Sequence, residues 1–262
     1  MTSALLATWN EVWKGLIIRW SYKFSILMEL LMIVFIFIGI TFFMGGGTFN
    51  ASVMGPSLVG YIVWFYALIA IANMSWGLRE ETQTGTLEQL YMSPHPIGLL
   101  LVGRTFATLV VTTAEVLIAG TLLVLILRVP LPFDWAAIPI GLLTLAGLYG
   151  FGFVIGGATL LFKQVESMAN LFQNILLFLN GALLPVDRLP PWLESIALTL
   201  PSTVGIIVLR RVLFDGATLL DVWQDGSLPM LLVNSAAYCI GGLAVYLWCE
   251  RVARTKGLLG QY

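Results

Sequence analysis

Few side chains in this chain have both the type and the setting to do chemistry. Glu115 lies midway along the apolar run Thr105–Leu127. An ionised carboxylate there costs about 2.5–3.5 kcal/mol on the insertion scale, so Glu115 is expected to be protonated or to face a partner or water. Glu29, only a few residues into an earlier run, can reach the membrane interface instead. A second group is amidic: Asn170, Gln173, Asn174 and Asn180, with Ser167 and Gly181, form a rough polar stripe along another apolar run. Amides inside a bilayer need partners, so the stripe should face another helix, a second protomer or a water-filled path rather than lipid. The sole histidine, His95, has no metal-binding company, and Cys239 and Cys249 both fall in or at the edge of the last apolar run. No G-x-x-x-x-G-K-[ST] phosphate loop, Ser/His/Asp set or Cys/His set occurs, so the chain is expected to hydrolyse no ATP, to bind no metal or cofactor, and not to be an enzyme by itself.

The third group is a polar island, Gly77 to Pro96, between two long apolar runs. Thr84 reads as an N-cap, Thr86 to Met92 as about two helical turns, and Ser93-Pro94-His95-Pro96 as their stop. Leu87, Leu90 and Tyr91 share one face of that short helix at i, i+3 and i+4. Spacing alone leaves two readings, a connecting helix resting on lipid headgroups or a face that docks on a partner. The wording of the island, Arg79-Glu80-Glu81, then Gly85-Thr86-Leu87-Glu88-Gln89-Leu90, then Ser93-Pro94, resembles the first cytoplasmic loop of ABC-2 type transporter permeases.

That resemblance implies a coupling helix seated in a groove of a separate ATP-binding cassette ATPase subunit. The ATPase-coupling residues would be Glu80, Glu81, Gly85, Thr86, Leu87, Glu88, Leu90 and Tyr91, with ATP and Mg held by the partner subunit. It implies a second permease copy or a paralogue to complete a two-fold unit. It also implies that the first and fifth spans line the substrate route, which makes Asn170, Gln173, Asn174 and Asn180, together with Glu115, the pathway candidates. Interhelical hydrogen bonding within the bundle accounts for the amides equally well.

The elements that must position these residues follow from hydropathy. At 59% hydrophobic and 10% charged, with mean hydropathy +0.93, the chain falls far below the roughly 25% charge of soluble domains and reads as an integral membrane protein. Its net charge of −1 argues against nucleic acid as a partner. From Leu5 to Trp20 the apolar residues, Trp9, Trp13 and Trp20 among them, fall on one helical face with Ile18 the exception, and Asn10, Glu11, Lys14 and Arg19 lie opposite. This describes a helix lying in the membrane interface rather than a cleavable signal. Runs long enough to span follow at Phe24–Met44, Ser57–Gly77, Thr105–Leu127, Trp135–Phe162, Met168–Leu184 and Leu228–Trp248. The fourth is crowded by Gly147, Gly150, Gly152, Gly156 and Gly157, a signature of close helix packing. Between the last two runs, 185–227 is punctuated by Pro185, Pro190, Pro191 and Pro201 and reads on spacing as two short apolar helices dipping back into the leaflet, or as an amphipathic surface hairpin. Leu189-Pro190-Pro191-Trp192-Leu193 and Leu209-Arg210-Arg211 resemble the re-entrant region of the same family.

The expected fold is therefore an all-α membrane protein. It comprises an N-terminal interfacial amphipathic helix (1–23), six transmembrane helices, a cytoplasmic coupling loop (78–96) and short re-entrant helices (185–227) before the last span, in one permease domain over 1–262. The expected function is the membrane subunit of an exporter of hydrophobic or amphipathic cargo, a drug, antibiotic peptide or lipid-linked molecule, in the cell inner (plasma) membrane. An ion-coupled transporter or channel using Glu115, or a non-transporting anchor subunit, are the alternatives. Inverted repeats would favour an ion-coupled carrier, and none is evident. Lys14, Arg19, Lys23, Arg79, Arg104, Lys163, Arg251, Arg254 and Lys256 fall on one side against Arg128, Arg188, Arg210 and Arg211 on the other. The positive-inside bias therefore puts both termini and the Gly77–Pro96 island in the cytoplasm. Single cysteines at Asn50 and Asp215, in a background lacking Cys239 and Cys249, should react with an impermeant thiol reagent outside intact cells. One at Gln83 should not, and its labelling would invert the orientation.

Overall fold

The computed structural model describes residues 9, 13, 17, 21–84, 97–129, 131–162, 165–183 and 185–256. Among them the chain is all helical, with nine α-helices in order: α1 (Lys23–Met44), α2 (Ala51–Thr84), α3 (Ile97–Leu127), α4 (Ala137–Leu161), α5 (Val165–Leu179), α6 (Pro191–Ala197), α7 (Pro201–Phe214), α8 (Leu219–Gln224) and α9 (Ser227–Thr255). A single 3-10 turn, Val186–Arg188, precedes α6. Five helices are long and apolar enough to cross a membrane. Of the N-terminal amphipathic face, Trp9, Trp13 and Ile17 are helical and exposed, as residues one turn apart on a lipid-facing stripe would be.

The bundle is built around α2. Its membrane-spanning part is 83% buried, against 22% for α1 and 28% for α3, so it occupies the centre while the others keep a face to lipid. A helix apolar on every side is stable only with neighbours all round. Three aromatic residues of α2 also carry a polar tip, and each donates to a different neighbour. Tyr61 Oη donates to Ile33 O of α1 at 3.0 Å, Trp64 Nε1 to Gln173 O of α5 at 3.0 Å, and Tyr66 Oη to Thr113 Oγ1 of α3 at 2.9 Å.

The largest helix pairing is α4 with α9, and glycine makes it possible. A side chain on Gly150 would run into the Tyr238 carbonyl and Cys239 N, and one on Gly242 into the Gly150 carbonyl, so the two backbones touch. Gly157 lies against Tyr246 of α9, while Gly152 faces the Ala70 carbonyl of α2 on the other side. Without a hydrophobic drive between helices in lipid, such close approach is what van der Waals association requires.

Two expected boundaries move. The apolar span of α2 is Ser52–Met74, close to the expected run, but the helix itself continues past Gly77 to Thr84, because Arg79 to Gln83 are adequate helix formers with no proline among them and one internal glycine costs only about 1 kcal/mol. Thr84 is the last residue of α2, and the short helix expected after it lies outside the described residues. The fifth span does not run helically to Leu184. α5 stops at Leu179 after 15 residues, about 22 Å at 1.5 Å per residue and short of a 30 Å hydrocarbon core. Gly181 takes a left-handed conformation (φ 78°), and Asn180 Oδ1 accepts the Ala182 N–H at 2.9 Å. Asn180, Gly181 and Ala182 are all buried in protein, where broken backbone is tolerated at membrane depth.

The segment before the last span holds a bent pair, α6 and α7, meeting at 90°. Pro191 and Pro201 each sit in the first turn of a helix, where their missing N–H costs nothing. α8 follows as one short turn closed by a capping box between Thr218 and Asp221.

Gly150→Leu or Gly242→Val should separate α4 from α9 and lower stability by about 1–3 kcal/mol, the usual cost of overpacking. Thermal unfolding in detergent reads this out. Gly241→Ala, where an added methyl meets nothing, should be neutral.

Candidate functional site

The amide stripe of the fifth span divides into two faces. Asn170 and Asn174 are exposed on α5 beside Ser167, and the Asn174 side chain donates only to its own helix, to Asn170 O at 2.9 Å. Ala169, Gln173, Leu176 and Asn180 form the buried face, at the 4-3-4 spacing of a packed helix seam. Gln173 Nε2 donates to Leu68 O of α2 at 3.3 Å, and Asn180 is wholly enclosed. Four amides that share one run of sequence therefore serve two surfaces, because 100° per residue carries Gln173 round the helix from Asn170 and Asn174.

Glu115 is buried on α3, 7% exposed, in register with buried Thr112 and Ala119. It is turned into the protein rather than toward lipid, and it is not brought together with Asn170 and Asn174 on one surface. Of the coupling set, Glu80 and Glu81 belong to the last turns of α2, beyond its membrane-spanning part. Gly85, Thr86, Leu87, Glu88, Leu90 and Tyr91 lie outside the described residues. Among the described residues no three His, Cys, Asp or Glu side chains converge as a metal site would require.

Sequence reasoning counted Arg210 as an outer loop charge and as part of the Leu209-Arg210-Arg211 motif, and assigned it no partner. Its Nε donates to Pro56 O of α2 at 2.9 Å and its Nη2 reaches Ala182 O at 3.5 Å, past Gly60, which has no side chain to block it. One guanidinium thereby ties α7 to the central helix and to the broken end of α5. The signal in the sequence was the pair Pro56 and Gly60, four apart, a notch on an otherwise bulky helix. Thr203 Oγ1 adds a bond to Leu179 O at 3.4 Å. Neighbouring Arg211 turns the other way, pairing with Asp225 and lying 3.5 Å from Ser227 Oγ, which joins α7 to the start of α9.

At that exposed corner, hydrogen bonds hold two carboxyls below the ordinary carboxylate range. Asp225 accepts from the Ser227 N–H at 2.8 Å and is further lowered by Arg211, while Asp221 accepts from the Thr218 hydroxyl and N–H at 2.7 and 2.8 Å.

A central buried span, a short fifth helix whose exposed side carries two amides among Leu171, Ile175 and Phe178, and a bent helix pair before the last span define a multi-pass helical membrane protein. The family model for the ABC-2 type transporter matches residues 5–214, and the chain belongs to that family. It is 25% identical over 194 residues to the probable multidrug ABC transporter permease YbhR of Escherichia coli (strain K12), and to the same degree to YbhR of Escherichia coli O157:H7. The match covers 71% of this chain and 50% of each relative, so the chain spans about half the length of the curated relatives it matches.

A carboxyl with a lowered folded-state pKa stabilises above the unfolded value and loses that contribution as pH falls through the folded one. The Asp221 and Asp225 caps should accordingly hold at neutral pH and release in acid. A fluorinated Trp223 in α8 should give one NMR line near neutrality and a second, more mobile one as pH drops below the carboxylate range. Asp225→Asn should show the second line without acid.

Proposed function

We propose that this chain is the membrane subunit of an ATP-driven exporter that works with a separate ATP-binding cassette ATPase and a second copy or paralogue of itself. It would move hydrophobic or amphipathic cargo out of the cytoplasm across the plasma membrane. The observation that carries this reading is the outer face of α5. Asn170 and Asn174 stand exposed on a helix whose other side is packed on α2, and hydrocarbon offers an amide nothing. That face needs a polar counterpart from outside the protomer, which a two-fold partner or a wetted cargo path between two protomers supplies. Gln173 and Asn180 then act from within, holding α5 in place, and Glu115 is a pathway candidate buried on α3. The multidrug label carried by the YbhR relatives supports apolar cargo.

In this reading both termini are cytoplasmic, and Glu80 and Glu81 extend from the bundle on that side. Gly85, Thr86, Leu87, Glu88, Leu90 and Tyr91 form the joint with the ATPase, which binds the ATP and Mg. Family membership and the Gly-Thr-Leu-Glu wording support the assignment.

Interhelical hydrogen bonds in membranes are worth only about 0.6–2 kcal/mol each, so folding should survive loss of two exposed amides. Asn170→Leu with Asn174→Leu should yield an inserted complex that retains its ATPase but exports cargo at an altered rate. A cysteine at position 174 should cross-link to its counterpart in the opposite protomer. Normal export together with labelling of position 174 by lipid-phase probes alone would defeat the proposal.

A further inference from the structure

The elbow between α6 and α7 carries more hydrogen-bonding groups than the protein around it satisfies. α7 starts at Pro201 with Leu200 as its cap residue, and no side chain caps it. Proline removes one first-turn donor, and Val204 N–H reaches Leu200 O at 3.3 Å. The N–H groups of Ser202 and Thr203 have no acceptor within the helix. This end is not in water: every residue from Pro201 to Ile206 is buried.

Side chains from another helix converge on the same place. Ser202 is 0% and Ser235 of α9 2% exposed, and neither hydroxyl has a partner among the described residues. A methyl group built on Gly147 would lie 3.0 Å from Ser235 Oγ and 2.5 Å from the Pro201 ring, which sets the Ser235 hydroxyl beside the first residue of α7. Asn234, next in sequence, donates to Leu198 O at 3.4 Å and fixes this part of α9 against the elbow. Ser235 comes eight residues after the start of α9, and Gly147 ten after the start of α4. At 1.5 Å per residue both lie about 12–15 Å inside the bundle, near half the depth of a hydrocarbon core.

We propose that the elbow is a hydration site, with ordered water held between the first-turn N–H groups of α7 and the hydroxyls of Ser202 and Ser235. Water needs two to four polar partners and little room. Gly147 abuts Pro201 and Gly205 abuts Thr144, which closes the site on two sides and keeps it small. The positive end of the helix turns the water oxygen toward α7 and leaves its protons for the serine oxygens. Hydrogen bonds routed through water can be exchanged one at a time, so the bent pair can shift against α9 without exposing a bare helix end. The proposal rests on the elbow alone and stands or falls independently of cargo and ATPase.

Hydroxyl-radical footprinting of the full chain in nanodiscs, with a pulse of oxygen-18 water, tests it. Pro201 and Leu200 should be oxidised well above lipid-facing Leu117, and they should take up oxygen-18 more slowly than exposed Trp192 because the water is bound. Ser202→Ala with Ser235→Ala should cut elbow oxidation several-fold and leave Trp192 unchanged. If the double variant does not insert, Ser235→Ala alone should give a smaller drop of the same kind. Elbow oxidation no higher than at Leu117, or unchanged in an inserted variant, overturns the proposal. So does a silent elbow in a protein that chloride stabilises over gluconate, which would make the ligand an anion.

Discussion

Hydrocarbon offers no hydrogen bonds, and wherever this chain stops being helical inside the bundle something in the protein must replace what water would supply. The clearest replacement is Arg210. Its guanidinium accounts for a carbonyl of α2 and a carbonyl of the segment after α5, and Thr203 accounts for the last carbonyl of α5 itself. α7 therefore closes the broken end of α5. The short fifth helix and the bent pair are one construction, since neither would be admissible at that depth without the other.

The helices themselves were legible because long apolar runs leave little choice of structure. Hydropathy located the five described helices long enough to span and the shorter α5, and the punctuating prolines located both halves of the bent pair. What it blurred were ends. α2 outruns its apolar segment because helix propensity, not hydropathy, decides where a helix stops, and α5 stops inside its apolar segment because Asn180 and Gly181 favour a turn that α7 is there to satisfy.

Side-chain roles were legible only in part. That intramembrane amides need partners follows from residue type. Which partner each takes depends on a rotation of 100° per residue and on where α2 happens to lie, so Asn170 and Gln173, three apart, end on different surfaces. Arg210 shows the opposite failure. An arginine in a run assigned to the outer side looks like a solvated charge, and only the notch at Pro56 and Gly60, on a helix more than a hundred residues away in sequence, reveals that it points inward.

The 34 residues of α2 make a rod of about 51 Å in a core of about 30 Å, gripped along its middle by every neighbour. Such a rod is a lever with its fulcrum inside the bundle. Gly60 and the Gly152–Ala70 contact pack the middle of the rod closely, and for any given tilt the end carrying Glu80 and Glu81 is displaced farther than that middle. The unbroken run from Met74 to Thr84 thus has a geometric consequence: its length fixes how much a tilt of the packed middle is magnified at the end of α2.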